Sequence, residues 1–159
     1  MVLNLVLIRH GHPLSPEEAN VSDETLRPLS QYGISKLGQL CYEMETLSLT
    51  PDLILSSPIL RARESSIIIG KHFSKDPNIN NALSYDFNPD SILETFTKNT
   101  EVKTLFCIGH NPNLSYFGQL LLQDDESFDC LQPAWALAIE FKNGAGQSKG
   151  VLKKLFTPS

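Results

Sequence analysis

The chain has 159 residues, 41% of them hydrophobic, and a formal net charge of −5 at pH 7. This size and composition suit a single domain, residues 1–159, with a substantial core. The acidic balance and the lack of a basic tract argue against nucleic acid or an acidic membrane surface as a partner.

The three cysteines, Cys41, Cys107 and Cys130, form no CxxC pair. Their odd number argues against a disulfide framework, and we expect free thiols. Neither a signal peptide nor a membrane-spanning run is evident, so a cytoplasmic protein is expected. The sequence gives no indication of an oligomeric state.

The first element is an apolar run, residues 5–8, that leads directly into Arg9, His10 and Gly11. Nothing in the run alternates with polar residues, which predicts a strand buried on both faces. Gly11, without a Cβ, is expected to turn the chain through its freedom in φ. A guanidinium offers a fork of donors to phosphoryl oxygens, and a neutral imidazole nitrogen can attack phosphorus. The end of this strand therefore predicts a phosphate site.

Residues 12–29 are polar and rich in proline, which predicts a loop with one short helical turn near 16–19. Ser30 is the expected N-cap of a helix of about four to five turns. The apolar residues of this helix recur at three- and four-residue spacing: Ile34, Leu37, Leu40, Cys41, Met44 and Leu47.

Residues 52–57 predict a short buried strand, and a second helix is expected at 59–73, after a proline that favours a helix start. Residues 74–91 have a loop composition, with one short strand expected within 80–85. A third helix is expected from Pro89, with its apolar face formed by Ile92, Leu93 and Phe96.

Residues 104–108 predict another buried strand, followed by a helix with its apolar residues between 114 and 122. An acidic surface loop is expected at 124–129. Two closing strands, 133–141 and 150–156, flank a hairpin turn. The order β-α-β-α-(β)-α-β-α-β-β predicts an α/β three-layer sandwich. We expect helices on both faces of a largely parallel central sheet with an antiparallel edge hairpin.

Three strands end in residues with potential chemistry: Arg9 and His10, then Ser57, then His110. Ligands of open α/β sheets bind outside the carboxyl ends of strands, so these side chains should share one rim. Arg61 lies one turn into the helix after Ser57 and can point to the same rim. Helix N-termini facing that rim favour an anion as well.

Four segments together resemble the histidine phosphatase superfamily, also called phosphoglycerate mutase-like, and in particular its SixA-type phosphohistidine phosphatase branch. They are LIRHG at 7–11, RPLSQYG at 27–33, SSPILRA at 56–62 and IGHNP at 108–112. The resemblance implies the phosphoglycerate mutase-like fold. It also implies a phosphatase that hydrolyses a phosphomonoester or phosphoramidate through a phosphohistidine intermediate, without a cofactor or metal.

The resemblance also implies residue roles. His10 is similar to the nucleophile, Arg9 and Arg61 to the paired phosphate-binding arginines, and His110 to the second histidine of the pocket. The remaining motif residues expected to bind substrate are Gly11, Arg27 and Asn111. Arg27 has an alternative interpretation as a loop arginine held by surface acids.

The general acid is the main departure from the family pattern. Larger members carry a Glu or Asp that protonates an alkoxide leaving group, and Asp86 lies in roughly the right segment. A loop Asp is also a common turn former. The motif after Arg61 ends in Ser65 where the family usually has Thr, which keeps the hydroxyl.

Weak acid assistance suits P–N bonds, because the conjugate acid of imidazole has a pKa near neutrality. The first hypothesis is therefore a phosphorylated histidine-containing protein as substrate, and the second is a small phosphate ester. A non-catalytic phosphate-binding regulator is the alternative from another class. His10 and His12 could seed a metal site with Asp86 or Glu17. The nearby arginines would repel a cation, so no metal is predicted.

Overall fold

The computed structural model describes residues 1–159 and contains one six-stranded sheet. The strands are β1 (Leu3–Arg9), β2 (Leu53–Ser56), β3 (Asn78–Ile79), β4 (Thr104–Gly109), β5 (Ala136–Phe141) and β6 (Val151–Phe156). Their order across the sheet is β3-β2-β4-β1-β5-β6. The first four strands are mutually parallel, whereas β5 runs antiparallel to β1 and β6 antiparallel to β5. The predicted mixed sheet with an antiparallel edge hairpin is confirmed.

Five α-helices accompany the sheet: α1 (Pro16–Ala19), α2 (Gln31–Thr46), α3 (Leu60–Phe73), α4 (Pro89–Lys98) and α5 (Asn113–Leu121). Two 3-10 helices lie in the connections, at Glu24–Leu26 and Asn81–Leu83. None of the helices has the length and apolar character needed to cross a membrane.

The core consists of two apolar layers, one on each face of the sheet. Val6 and Ile8 of β1 pack into the layer that includes Leu40 of α2 and Ile69 of α3. The alternating residues of the same strand, among them Leu7, pack into the layer that α4 and α5 cover. Successive side chains of a strand point to opposite faces. The continuous apolar run of β1 is therefore explained by its burial on both sides.

Close packing at Gly11 joins the start of α2 to the end of β1. A Cβ on Gly11 would lie 2.9 Å from Leu37 Cδ1, and one on Gly33 would lie 2.3 Å from the carbonyl oxygen of His12. Gly11 does not adopt a positive φ, so the prediction that it supplies conformational freedom is wrong. Its small size allows α2 to approach. The predicted N-cap is confirmed, because Ser30 Oγ accepts from the Gly33 N–H at 3.0 Å.

The strand predicted within residues 80–85 is also wrong. The chain pairs with β2 two residues earlier, at Asn78–Ile79, and then turns into the 3-10 helix at Asn81–Leu83. Asn80 causes the turn, because its side chain accepts from the Ala82 N–H at 2.9 Å. Such local side-chain bonds compete with strand pairing. The turn directs Tyr85 toward the carboxyl ends of the parallel strands.

Candidate active site

Backbone hydrogen bonds fix the end of β1, where Arg9 and His10 emerge from the core. The His10 N–H donates to the Gly109 carbonyl at 3.1 Å, which ties this residue to the end of β4. On the other side, the Ala134 N–H donates to the carbonyls of both Arg9 and His10, at 3.1 and 3.0 Å. Ala134 holds a left-handed φ of 64° to do so. Such strained conformations occur where surrounding structure over-determines them, often at functional sites.

The His10 ring is buried and oriented by its neighbours. Its Nδ1 lies 2.8 Å from the Gly11 carbonyl oxygen, which can only accept, so Nδ1 carries the proton. Nε2 is then an acceptor, and Arg61 Nε donates to it at 3.3 Å. Burial is the main cause that lowers the pKa of His10 to about 3; the Gly11 bond opposes this shift, and the charges of Arg61 and Arg9 add to it. At neutral pH, Nε2 is therefore unprotonated, and its lone pair is engaged only by the hydrogen bond from Arg61 Nε.

His110 lies beside His10 at the end of β4, with the two ring centroids 5.3 Å apart. Its Nε2 is 2.8 Å from Ser57 Oγ, and Ser57 Oγ also accepts from the Ile59 N–H at 3.1 Å. The other ring nitrogen, Nδ1, is buried and has no hydrogen-bond partner. Burial, followed by the charge of Arg61, lowers the pKa of His110 to about 4. The pocket thus contains two neutral imidazoles.

Arg61 enters the pocket from the first turn of α3, and its side chain is the most densely bonded at the site. Besides His10, its guanidinium donates to the Glu24 carbonyl at 3.0 Å, to the Glu24 carboxylate, and to the Tyr85 hydroxyl at 2.6 Å. Its own carbonyl accepts from Ser65 Oγ at 2.7 Å, and that hydroxyl in turn accepts from the Gly11 N–H at 3.0 Å. Ser65 therefore connects α3 to the turn after the nucleophile candidate.

Arg9 is held at the opposite side of the pocket by one peptide carbonyl. Its Nη1 donates to the Leu131 carbonyl at 3.0 Å, while its buried Nε has no partner. The same carbonyl accepts from Asn111 Nδ2 at 2.7 Å. The Asn111 amide oxygen accepts from Ser115 Oγ at 2.9 Å. Asn111 thus uses both its amide nitrogen and its amide oxygen to bind neighbouring protein groups. Arg9, in contrast, keeps Nε as a free donor.

The structure brings together Arg9, His10, Arg61 and His110. Of two other predicted residues, Arg27 reaches this group only through the Glu24 carboxylate that Arg61 also binds, and Asp86 lies apart. Arg27 donates from Nε to the Leu14 carbonyl at 2.8 Å and lies 3.8 Å from the Glu24 carboxylate, so it supports the loop. Asp86 is exposed, lines a different surface cleft with Asn88, and has no hydrogen bond to the pocket.

Two residues that the sequence did not single out, Glu24 and Tyr85, lie at the pocket instead. The Tyr85 ring centroid is 4.8 Å from that of His110, and its hydroxyl donates to Glu24 Oε2 at 2.7 Å. Glu24 belongs to a polar loop without an apolar pattern, so only its tertiary contact reveals it. Tyr85 directly precedes the predicted Asp86, so this segment reaches the pocket through the neighbouring residue.

The imidazole pair does not form part of a cluster that could hold a metal ion, since no group of three or more His, Cys, Asp or Glu side chains converges. His12 lies next to Tyr32 in an edge-to-face contact, with ring centroids 4.8 Å apart, rather than beside His10. The arrangement instead presents guanidinium and imidazole groups around the His10 Nε2 lone pair, which suits a tetrahedral anion.

No family model and no curated protein matches the sequence. Among solved structures, the chain is similar to the protein histidine phosphatase SixA complexed with tungstate. The identity is 15% and the TM-score 0.81, over 98% of this chain and 97% of that chain. A protein of Agrobacterium tumefaciens assigned as the phosphohistidine phosphatase SixA is 18% identical, with a TM-score of 0.75 over 98% and 99% of the two chains.

A mycobacterial glucosyl-3-phosphoglycerate phosphatase is 12% identical, with a TM-score of 0.73 over 96% of this chain and 98% of that chain. The likenesses extend over nearly the whole length of each protein. They show that the chain has the fold of these phosphatases, as the four motifs predict.

Proposed function

We propose that the chain is a phosphatase of the histidine phosphatase superfamily that forms a phosphoenzyme on His10 and acts on protein phosphohistidine. The observation that carries the proposal is the fixed tautomer of His10. Its Nδ1 is bound to the Gly11 carbonyl, which leaves Nε2 as an unprotonated nitrogen beside Arg61. A neutral imidazole in this orientation is ready to act as a nucleophile.

The mechanism needs little more than positioning and charge neutralisation, because phosphoryl transfer makes few covalent demands on a protein. Arg9 and Arg61 bind the phosphoryl oxygens, and a donor on His110 Nδ1 contacts a third. The Ser57 hydroxyl can hold that tautomer by donating to His110 Nε2. His10 Nε2 then forms a bond to phosphorus while the bond to the leaving group breaks. Water subsequently cleaves the phosphoenzyme and releases inorganic phosphate.

The choice of phosphohistidine follows from the leaving group. The exposed Asp86 carboxylate has no contact with the pocket, so it is not placed to protonate an alkoxide. An imidazole departs without such help, since its conjugate acid has a pKa of about 6.5. The likeness to a SixA phosphatase supports the same substrate class.

A small phosphate ester is the second candidate, favoured by the likeness to a glucosyl-3-phosphoglycerate phosphatase. It shares the His10 intermediate and differs only in the leaving group. The ratio of turnover on the two substrate classes therefore separates the candidates.

The test is to incubate the protein with a phosphohistidine peptide and, separately, with p-nitrophenyl phosphate, and to trap the phosphoenzyme. We expect acid-labile phosphate on the wild-type protein. In His10→Ala, we expect loss of this label and a fall in turnover of about 10³-fold or more. His72→Ala, which changes a histidine outside the pocket in the last turn of α3, should retain both. Phosphate binding without turnover of either substrate would instead indicate a regulator.

A further inference from the structure

The Glu24 carboxylate occupies the position on Arg61 where an anionic substrate would bind. The Arg61 side chain makes four hydrogen bonds, and three of them go to Glu24 and Tyr85. Tyr85 also donates to the second carboxylate oxygen, so both oxygens of Glu24 are held. Glu24 is therefore an internal anion bound within the phosphate pocket.

This anion changes the charge that a substrate meets. Arg9 and Arg61 contribute two positive charges, Arg27 adds a third 3.8 Å from the Glu24 carboxylate, and Glu24 cancels one of the three. Burial raises the pKa of the Glu24 carboxyl, but the bonds from Tyr85 and the charge of Arg61 outweigh it, so the pKa lies below its ordinary value. The Glu24 side chain is 50% exposed, so it can swing from Arg61 toward solvent when a phosphoryl group arrives. It remains a carboxylate beside the substrate.

We propose that Glu24 is a specificity-determining residue that selects a phosphorylated imidazolium, the protonated ring of phosphohistidine, over phosphate esters. The inference rests on the proposed function and extends it to a residue that none of the sequence motifs contains. A carboxylate at the pocket edge accepts the N–H of a ring that carries a positive charge. It repels a leaving group that develops a negative charge.

The transfer step balances without a proton from Glu24. His10 Nε2 forms its bond to phosphorus as the P–N bond of the substrate breaks, and the bonding electron pair returns to the ring nitrogen. The ring enters as an imidazolium and leaves as a neutral imidazole, with its remaining proton on the other nitrogen. Glu24 accepts a hydrogen bond from that N–H throughout and favours the reactive, protonated ring.

Esters would experience the opposite effect at the same position. The oxygen of an alkyl phosphate leaves with a developing negative charge. An ionised Glu24 repels this charge and has no proton to donate to the oxygen. The carboxylate also competes with every phosphoryl group for the Arg61 fork. Removing its charge should therefore help esters and harm phosphohistidine.

The test compares kcat/KM of wild type and Glu24→Gln on a phosphohistidine peptide and on p-nitrophenyl phosphate and an alkyl phosphate. An opposite charge shifts a pKa by about one to three units, so we expect the preference for phosphohistidine to fall about tenfold or more. Inorganic phosphate should inhibit Glu24→Gln at lower concentration. Glu17→Gln, the same charge change at an exposed position of α1, should match wild type.

Three results would overturn the inference. They are an equal loss on all substrates, no change in preference, or an ester loss that grows with the pKa of the leaving group, which would make Glu24 a general acid. If Glu24→Gln does not fold, Tyr85→Phe tests the same inference, because it removes the hydrogen bond to one Glu24 carboxylate oxygen. It should reduce the preference for phosphohistidine over esters by a smaller factor than Glu24→Gln. A wild-type protein that turns over no substrate would contradict the proposed function itself.

Discussion

The two walls of the candidate site differ in how they are built. On the inner wall, His10, Arg61 and His110 are 5%, 6% and 3% exposed, and each lies at the end of a strand or in the first turn of a helix. On the outer wall, Tyr85 and the Glu24 side chain are 48% and 50% exposed and lie in connections. The rigid core thus holds the groups proposed for chemistry, and the surface holds those proposed for substrate choice.

The contrast also appears in the bonds that hold each wall. Backbone bonds to β4 and to Ala134 anchor His10, and Ser65 anchors the turn that follows it. The outer wall depends on side-chain bonds between Glu24, Tyr85 and Arg61. Changes to the inner wall should therefore affect every substrate, and changes to the outer wall should discriminate among substrates.

After His10→Ala, the largest effect on the inner wall is expected from Arg61→Lys. Lysine keeps the charge but loses the planar fork and the bond to His10 Nε2, so kcat/KM should fall about 10²-fold or more on every substrate. Steady-state kinetics with two substrates measures this. Arg63→Lys, the same change at an exposed position of α3, is the control. A loss below threefold at Arg61 would mean that the inner wall does not bind phosphate.

Acid should destabilise the inner wall as the pH falls below about 6.5. The pKa values of His10 and His110 are lowered to about 3 and about 4 in the folded protein, against about 6.5 when unfolded. Below pH 6.5 the unfolded chain binds protons that the folded chain does not. The free energy of unfolding should therefore decrease as the pH is lowered, by up to about 1.4 kcal/mol per pH unit for each histidine.

Urea unfolding at pH 7.0, 6.0 and 5.0 measures that slope. His110→Asn removes one of the two titrating rings and should reduce the slope. Equal stability of the wild-type protein at pH 7.0 and 5.0 would contradict the burial of two neutral imidazoles.

Ser65→Ala should have a smaller effect, and we expect it in the free energy of unfolding. It leaves the buried Gly11 N–H without its acceptor, which costs about 1–3 kcal/mol. Ser65→Thr keeps the hydroxyl and should recover most of this loss. Ser66→Ala is the neighbouring control, because its hydroxyl donates only to a carbonyl of its own helix. Chemical denaturation compares the three, and equal losses for Ser65→Ala and Ser66→Ala would contradict the proposed link.

The smallest effect is expected from Asp86→Asn, outside both walls. The side chain is exposed and has no bond to the pocket, so turnover of an alkyl phosphate should stay within about twofold of wild type, as for most surface changes. A tenfold loss of turnover would support Asp86 as the general acid and would make it part of the outer wall.

The inner wall could be anticipated because its signals are local. The apolar run before Arg9 and His10, and the one before His110, each predict a strand whose end must reach the same rim. The outer wall depends on contacts between distant positions, such as Glu24 with Arg61. No periodicity in residues 12–29 marks Glu24, and the short turn at Asn80 decides that Tyr85, rather than Asp86, faces the pocket.

Gly11 illustrates a different limit of sequence interpretation. A glycine after a strand suggests a turn that needs unusual φ, yet here the residue is small because α2 packs against it. The pattern of one chain segment cannot tell these reasons apart, since the second depends on Leu37, which lies on a helix that comes later. The structure therefore changes the reason for glycine at this position from conformational freedom to close packing.

The backbone of one residue, Leu131, connects the ends of β1 and β4. The carbonyl of Leu131 accepts from both Arg9 and Asn111, and its N–H donates to Ser115 Oγ at 3.0 Å. Leu131 therefore couples the guanidinium at the end of β1 to Asn111, which precedes α5, and to Ser115 in the first turn of α5. Any force on the acidic segment at 124–129 that displaces Leu131 is transmitted to both strand ends at once.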